Sequence, residues 1–510
     1  MIKSTCIIIA SFLLMTPVIK SQTVLSLKGQ LRTRTELRDG YGTLNTKGSK
    51  PAFFTSQRTR FTAGLSSRNV EFRMSLQDIR LWGQDASTIN GADGGRLMLH
   101  EGWAMMSFFI DSSMREKPYP KLQLKIGRQT LLYDDSRLLG DLDWLQQGRR
   151  HDALVVKYRP GIFAVDAGVA FNQHSDATGK TGTYYLPANV SSFVTNSQGN
   201  LVATPAMMVP LAPAGLATEK SSLNGIPVLT SPAGTNGMNQ LYKSMQFIHL
   251  SRSFSKSKLS ILLLTDQFAK YRLDSVIATN GNVYGRKYDV GGISGRFTYG
   301  GLLSGMITKI KGQDLSYTLG FYAQSGKNKE GRHLSAWHFT SSIAFKVNAL
   351  TIAPGFDYLS GNDPSGDASV DRRFDPLYGT PHKFWGMMDY YYVATGSPAA
   401  GLMDPNIHFG YTLKRTTFSA DVHQFLLANI VNPKSVSGFT PARNLGTEFD
   451  LVVKHVVNPV ISLEIGYACM IANNNTEYVK KSTINQADHF PQWAYLMVGI
   501  SPEIVFGKSD

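Results

Sequence analysis

Apolar and polar residues alternate with a period of two along most of this chain. Leu25, Leu27, Gly29, Leu31 and Thr33 share one face, and Ser26, Lys28, Gln30, Arg32, Arg34 and Glu36 share the other. Successive side chains of a strand point to opposite sides, so the pattern predicts a strand with one greasy and one polar face. Val70, Phe72, Met74 and Leu76 stand against Glu71, Arg73, Ser75 and Gln77 in the same way. So do Ile407, Phe409, Tyr411 and Leu413 against Asn406, His408, Thr412 and Lys414, and Ile461, Leu463, Ile465 and Tyr467 against Ser462, Glu464 and Gly466. One such run fits a half-buried strand of a soluble protein. Repetition in runs of about ten residues fits strands that cross a membrane at a tilt.

The connections come in two kinds, and they alternate. Short ones fall at 66–69, 159–161, 253–257, 311–314, 347–348, 414–416 and 457–459. Long polar ones fall near 37–55, 83–96, 131–150, 173–242, 269–297, 327–333, 360–404, 429–444 and 472–490. That segregation predicts an all-β fold, a transmembrane antiparallel β-barrel with short periplasmic turns and long extracellular loops. A sandwich or propeller has no reason to sort its connections by length. Counting gives 18 strands, near 25–36, 56–66, 69–82, 97–110, 121–130, 151–159, 162–172, 243–252, 257–268, 298–310, 315–325, 334–346, 349–359, 405–414, 417–428, 445–456, 460–471 and 492–502. The range is 16–18, with an extra hairpin around Tyr288–Phe297 as the open point. An even number puts both ends of the barrel on one side. The uncharged stretch 173–242 either caps or enters the pore or is a disordered surface loop, and 131–150 can dip into the lumen.

Residues 1–21 read as a removed export signal, with Lys3 ahead of the apolar core Cys6–Met15, which is too short to span a bilayer. Residues 22–510 then form one barrel domain. Cys469 is the lone cysteine left, so packing and the sheet, not a disulfide, hold the fold. The formal charge is +15, or +13 once Lys3 and Lys20 leave with the signal. Nucleic acid is the reflex partner of a basic protein, but export, and the absence of a basic tail or zinc spacing, exclude it as an expectation. An anionic saccharide or small anionic solute fits better, with outer-membrane lipid around the barrel and periplasmic export or assembly proteins as further partners.

Arg32, Arg34, Arg58, Arg60 and Arg73 alternate with apolar residues and are expected to face the lumen, with Lys125 and Arg128 beside them. At mid-depth in lipid each would cost about 2–4 kcal/mol. Arginine arrays in a channel attract carboxylates and bind them in a forked geometry. Counter-charges at Glu36, Glu71, Glu101, Asp152, Asp357, Glu448 and Asp450 give a second reading, in which lumen ion pairs only brace the wall. The sequence has no Gly-x-Ser-x-Gly elbow, His-Glu-x-x-His or phosphate-cradling loop, so no enzyme, cofactor or metal site is expected. Asp421 with His423, and Asn406 with His408, read as lumen wall rather than as dyads. Trp493 and Tyr495 read as interfacial girdle, and Phe384, Trp385, Tyr390, Tyr391 and Tyr392 as girdle or stacking surface.

The run Gly127-Arg128-Gln129-Thr130-Leu131-Leu132-Tyr133-Asp134-Asp135-Ser136-Arg137-Leu138-Leu139-Gly140, followed by Asp143-Trp144 and Gly148-Arg149-Arg150-His151-Asp152, resembles the hallmark region of the alginate export family. Phe356–Asn362, Phe374–Phe384 and Leu445–Asp450 are similar to later stretches of the same family. The resemblance implies an 18-stranded outer-membrane porin with an arginine-lined constriction, through which an anionic exopolysaccharide leaves the cell. It implies that Arg128, Arg137, Arg149 and Arg150 meet carboxylates and that Asp143 and Asp152 order them. The final residues Phe506-Gly507-Lys508-Ser509-Asp510 depart from the terminal aromatic usual in such barrels. A general or small-anion porin and a loop-plugged structural or adhesion barrel are the alternatives.

Overall fold

The computed structural model describes residues 23–83, 97–111, 119–172, 190, 192–210, 242–310, 312–393, 398–431 and 439–507. The expected export signal lies outside them. Eighteen strands among the described residues form a closed antiparallel barrel. They are β1 (Val24–Asp39), β2 (Ala52–Ser66), β3 (Val70–Leu81), β4 (Met98–Asp111), β5 (Tyr119–Gln129), β6 (His151–Tyr158), β7 (Phe163–Phe171), β8 (Ser244–Phe254) and β9 (Ser257–Ala269). The second half comprises β10 (Ile293–Ile310), β11 (Gln313–Lys327), β12 (His333–Val347), β13 (Leu350–Leu359), β14 (Leu402–Leu413), β15 (Thr416–Leu426), β16 (Asn444–Val456), β17 (Ile461–Ile471) and β18 (Gln492–Ile500).

Each strand pairs with the next, and β18 returns to β1 from Leu31↔Ile500 to Asp39↔Gln492. After Ser501 and Pro502 the chain resumes this pairing, with Leu25 opposite Phe506. The seam therefore runs the full height of β1. No helix of the described residues is long and apolar enough to cross a membrane.

The period-two reading holds side chain by side chain. Phe61, Phe72, Ile126, Ile261, Phe321, Ile343, Phe409, Leu451, Ile465 and Leu496 all point outward and are exposed. So much contiguous apolar surface has no place in water, and it forms the belt that seats the barrel in a lipid bilayer. Phe321, Trp337 and Tyr358 stack along that surface, Trp337 on Tyr358 at 4.3 Å. Trp493 and Tyr495 do not belong to it. Ala494, Leu496 and Val498 take the lipid side of β18, so Trp493 turns inward and is 1 % exposed. Phe384, Trp385, Tyr390, Tyr391 and Tyr392 likewise pack inside the barrel.

The open point between β9 and β10 resolves into two parts. Arg272–Ala278 and Gly281–Lys287 form a hairpin outside the barrel wall, while Ile293–Phe297 extends β10. Met208–Pro210, from the long 173–242 connection, adds a third strand to that hairpin, and Val202, Met208 and Val283 pack as a small core beneath it. Within 173–242, the described residues 192–203 add a second short hairpin, Phe193–Thr195 with Leu201–Ala203.

Candidate channel constriction

Two loops fold into the lumen instead of away from it, and their sequences explain why. Residues 130–150, between β5 and β6, carry Leu131, Leu138 and Leu139, all buried. Residues 360–401, between β13 and β14, carry Phe374, Leu377, Tyr378, Trp385 and Met388, buried too. Apolar side chains in a connection must find cover, and the barrel interior provides it. The loops are stitched together by backbone bonds: Tyr378 N donates to Leu138 O, Gly140 N to Tyr378 O (both 3.0 Å) and Thr380 N to Ser136 O (2.8 Å). Gly379 is needed at the crossing, because a Cβ there would lie 1.9 Å from Arg137 O.

Short-range ion pairs then clamp both loops to the wall. Arg296 of β10 forks onto Asp266 of β9 (3.0 and 2.5 Å) and reaches Asp375 (2.8 Å), while the Tyr378 hydroxyl donates to the same Asp266 at 2.7 Å. Arg137 bonds Asp357 at 2.6 Å and Asp135 at 3.2 Å and stacks on Phe384. Burial pulls the Arg137 guanidinium down, but Asp357 and Asp135 overcome it and hold the group above its usual value. Glu448 and Asp450 of β16 accept the amides of Met388 (2.8 Å) and Met387 (3.1 Å). These two carboxylates order loop backbone rather than arginines.

Arg32, Arg34, Arg58 and Arg60 face inward and bind the segment Asp143–Gln146. Arg58 holds the Asp143 carboxylate in a fork, Nη1 to Oδ1 at 2.9 Å and Nη2 to Oδ2 at 3.1 Å. Arg32 reaches Asp143 Oδ2 at 3.2 Å, and Arg60 reaches Oδ1 at 3.5 Å. Arg32 also donates to Gln146 Oε1, Trp144 O and Leu145 O. Arg34 donates to Trp144 O at 2.8 Å, stacks on the Trp144 ring and pairs with Glu36 at 2.9 Å. Burial raises the Asp143 carboxyl, but the bonds and charges of Arg58, Arg32 and Arg60 win, and it sits below the usual carboxylate range.

Farther round the wall, Arg150 pairs with Glu101 at 3.2 Å, and the Thr130 hydroxyl donates to Glu101 at 2.7 Å. Lys125 lies 3.8 Å above the Trp103 ring, with Arg73 at 5.9 Å. A cavity of about 300 Å³ remains between this wall and the first loop, lined by Arg73, Glu101, Trp103, Lys125, Tyr133 and Lys157 among others. Arg149 is absorbed by the loop crossing: it donates to Gly379 O at 2.8 Å, and burial pushes its guanidinium down to about 10.

Arg128 and Asp152 are elsewhere. Leu122, Leu124 and Ile126 alternate on the lipid side of β5, and Arg128 continues that face; its cross-strand partner is Asp152, 3.9 Å away, and both are exposed. The pair sits on the outer rim, away from the constriction.

Solved structures of three Pseudomonas aeruginosa proteins share this architecture, two of them, OprD and OpdK, described as outer-membrane proteins. OprD superposes with a TM-score of 0.53 at 12% identity, covering 94% of each chain. OpdL gives 0.51 at 10%, over 96% of this chain and 100% of its own, and OpdK, also solved with vanillate, gives 0.51 at 10%, over 94% and 99%. The fold is that of an outer-membrane porin. No protein-family model matches the chain and no curated protein matches it in sequence, so the resemblance to the alginate export family rests on its motifs alone.

The lumen also holds an ion pair that is not among the expected site residues, Arg296 with Asp266. Arg296 is visible in the alternation, since Ser294, Arg296 and Thr298 oppose Ile293, Phe297 and Tyr299, whereas Asp266 shares its face with Leu262, Leu264 and Phe268 and is not. The histidines pair across strands, His408 with Asp421 at 2.7 Å and His423 with Asp404 at 2.8 Å.

Proposed function

We propose that the chain is an outer-membrane channel for small anionic solutes. The observation that carries this reading is the cationic wall of β1–β5 beside an unfilled cavity of about 300 Å³. Among the described residues, Arg73 and Lys125 line that cavity without a close carboxylate contact; the nearest, Arg73 to Glu101, is 4.0 Å. In a narrow, poorly screened passage such charges lower the barrier to an anion, and nearby Glu101 and Asp141 keep its binding weak enough for release. Trp103 and Tyr133 offer ring faces in the same space. That OpdK has been solved with vanillate, a small aromatic carboxylate, is in keeping with this class of solute.

The inward loops argue for a small solute over an exopolysaccharide strand, since they fill much of the lumen with packed side chains. The test is conductance of purified protein in planar bilayers under a salt gradient. A reversal potential of anion sign, with stronger block by a monocarboxylate than by a polyuronate, is the expected result. A barrel that never conducts would turn the reading to a plugged structural barrel, and a preference for polyuronate would restore the polysaccharide reading.

A further inference from the structure

The guanidinium cluster on β1 and β2 carries more positive charge than the wall neutralises. Arg34 and Arg38 share Glu36, and Arg150 has Glu101. Among the described residues, Arg32, Arg58 and Arg60 have a single carboxylate within ion-pair distance, and it is the same one, Asp143. Three cations on one anion is an unfavourable arrangement to bury, and Arg58 is 0 % exposed with its Nε unpartnered. A buried surplus of positive charge facing a lumen marks a candidate site for an anion.

Asp143 is not part of the wall. It belongs to the inward loop, and its side chain is 38 % exposed. Its fork on Arg58 is the geometry in which a guanidinium receives a free carboxylate. The rest of the segment is anchored without it: Trp144 O and Leu145 O accept from Arg34 and Arg32, and Gln146 bonds Arg32 and Ser56. The Asp143 side chain can therefore leave by rotating into the lumen while the loop stays in place.

We propose that Asp143 is a resident stand-in for the permeating anion, which displaces it from Arg32, Arg58 and Arg60 during passage. This rests on the anion-channel reading and adds an internal competitor to it. A tethered carboxylate is present at high effective concentration, so a solute must outcompete it to bind and is displaced by it to leave. The site thus combines attraction with fast release.

The experiment compares wild type with Asp143→Asn and Asp143→Glu in planar bilayers, using acetate as the probe and resistance to unfolding in unheated detergent as the assembly check. Asp143→Asn should move the reversal potential further to the anion side and lower the acetate concentration for half-block by about three- to tenfold, the size of one ordinary net hydrogen bond. Asp143→Glu should stay near wild type. If Asp143→Asn does not assemble, an assembled Asp143→Cys, Cys469→Ser channel gives the same comparison: an anionic thiol reagent should restore wild-type block and a neutral one should not. Unchanged block in Asp143→Asn, or equal effects of the two reagents, overturns the inference and leaves the anion channel standing. Cation-selective wild-type channels overturn the channel reading itself.

Discussion

Leu139 and Tyr378 meet as a single parallel bridge inside the barrel, and this contact makes the two inward loops one body. Tyr378 then ties that body to the wall through its hydroxyl on Asp266, beside the Arg296 fork. Tyr378→Phe removes one hydrogen bond to a charged group and should destabilise the barrel by about 1.5–3 kcal/mol. Thermal unfolding in detergent, followed by circular dichroism, measures it. An unchanged midpoint would mean that the bond contributes nothing.

Gly379 sets how closely the loops approach. Gly379→Ala would put a methyl group 1.9 Å from Arg137 O, too near for any side chain to absorb by rotation. The loops should part, giving larger and noisier single-channel currents from a barrel that still resists unheated detergent. Currents identical to wild type would show that the crossing does not limit the passage.

Inward and outward arginines should differ in what they control. Arg73 lines the cavity and Arg128 lies on the outer rim. Arg73→Gln should lower the anion-to-cation permeability ratio about two- to fivefold, matching a ~0.4–1 kcal/mol contribution from a water-facing charge. Arg128→Gln should leave the ratio alone. Equal effects of the two substitutions would refute the placement of the pore along β3–β6.

Acid should loosen the second loop. Asp371, in that loop, is raised by burial, but hydrogen bonds and charge from Arg373, with Asn328, hold its carboxyl well below the ordinary range. A depressed carboxylate contributes stability above its unfolded value, about 3.9, which is lost as pH falls through the folded one. The part of a tryptophan fluorescence change that is owed to Asp371 should therefore fall below about pH 4. Asp371→Asn should show a smaller acid transition; a transition of full size would assign it to other groups.

Strand positions were legible because lipid enforces the alternation: a strand cannot slip by one residue without turning Arg32 and Arg34 into hydrocarbon. The same rule, followed through Leu122, Leu124 and Ile126, carries Arg128 to the outside, a parity that the motif around it obscured. Trp493 shows the converse, since a strand-end tryptophan suits either face and only Ala494, Leu496 and Val498 decide it. What the sequence concealed was tertiary. Nothing local marks the backbone carbonyls of Trp144 and Leu145 as arginine acceptors, or Glu448 as the seat of the Met388 amide from a loop sixty residues away. Such contacts depend on which loops turn inward, and that follows from the shape of the whole lumen.

The seam between β1 and β18 has a consequence for how the molecule is made. While synthesis proceeds from the amino end, β1 offers a bare row of amides and carbonyls whose partners, Gln492 to Ile500, lie at the far end of the barrel's strand order. A piece that lacks β18 cannot shelter that edge by the pairing it finally adopts. Ring closure therefore waits for β18, and until then the free edge of the first strand is open to pairing with a stranger.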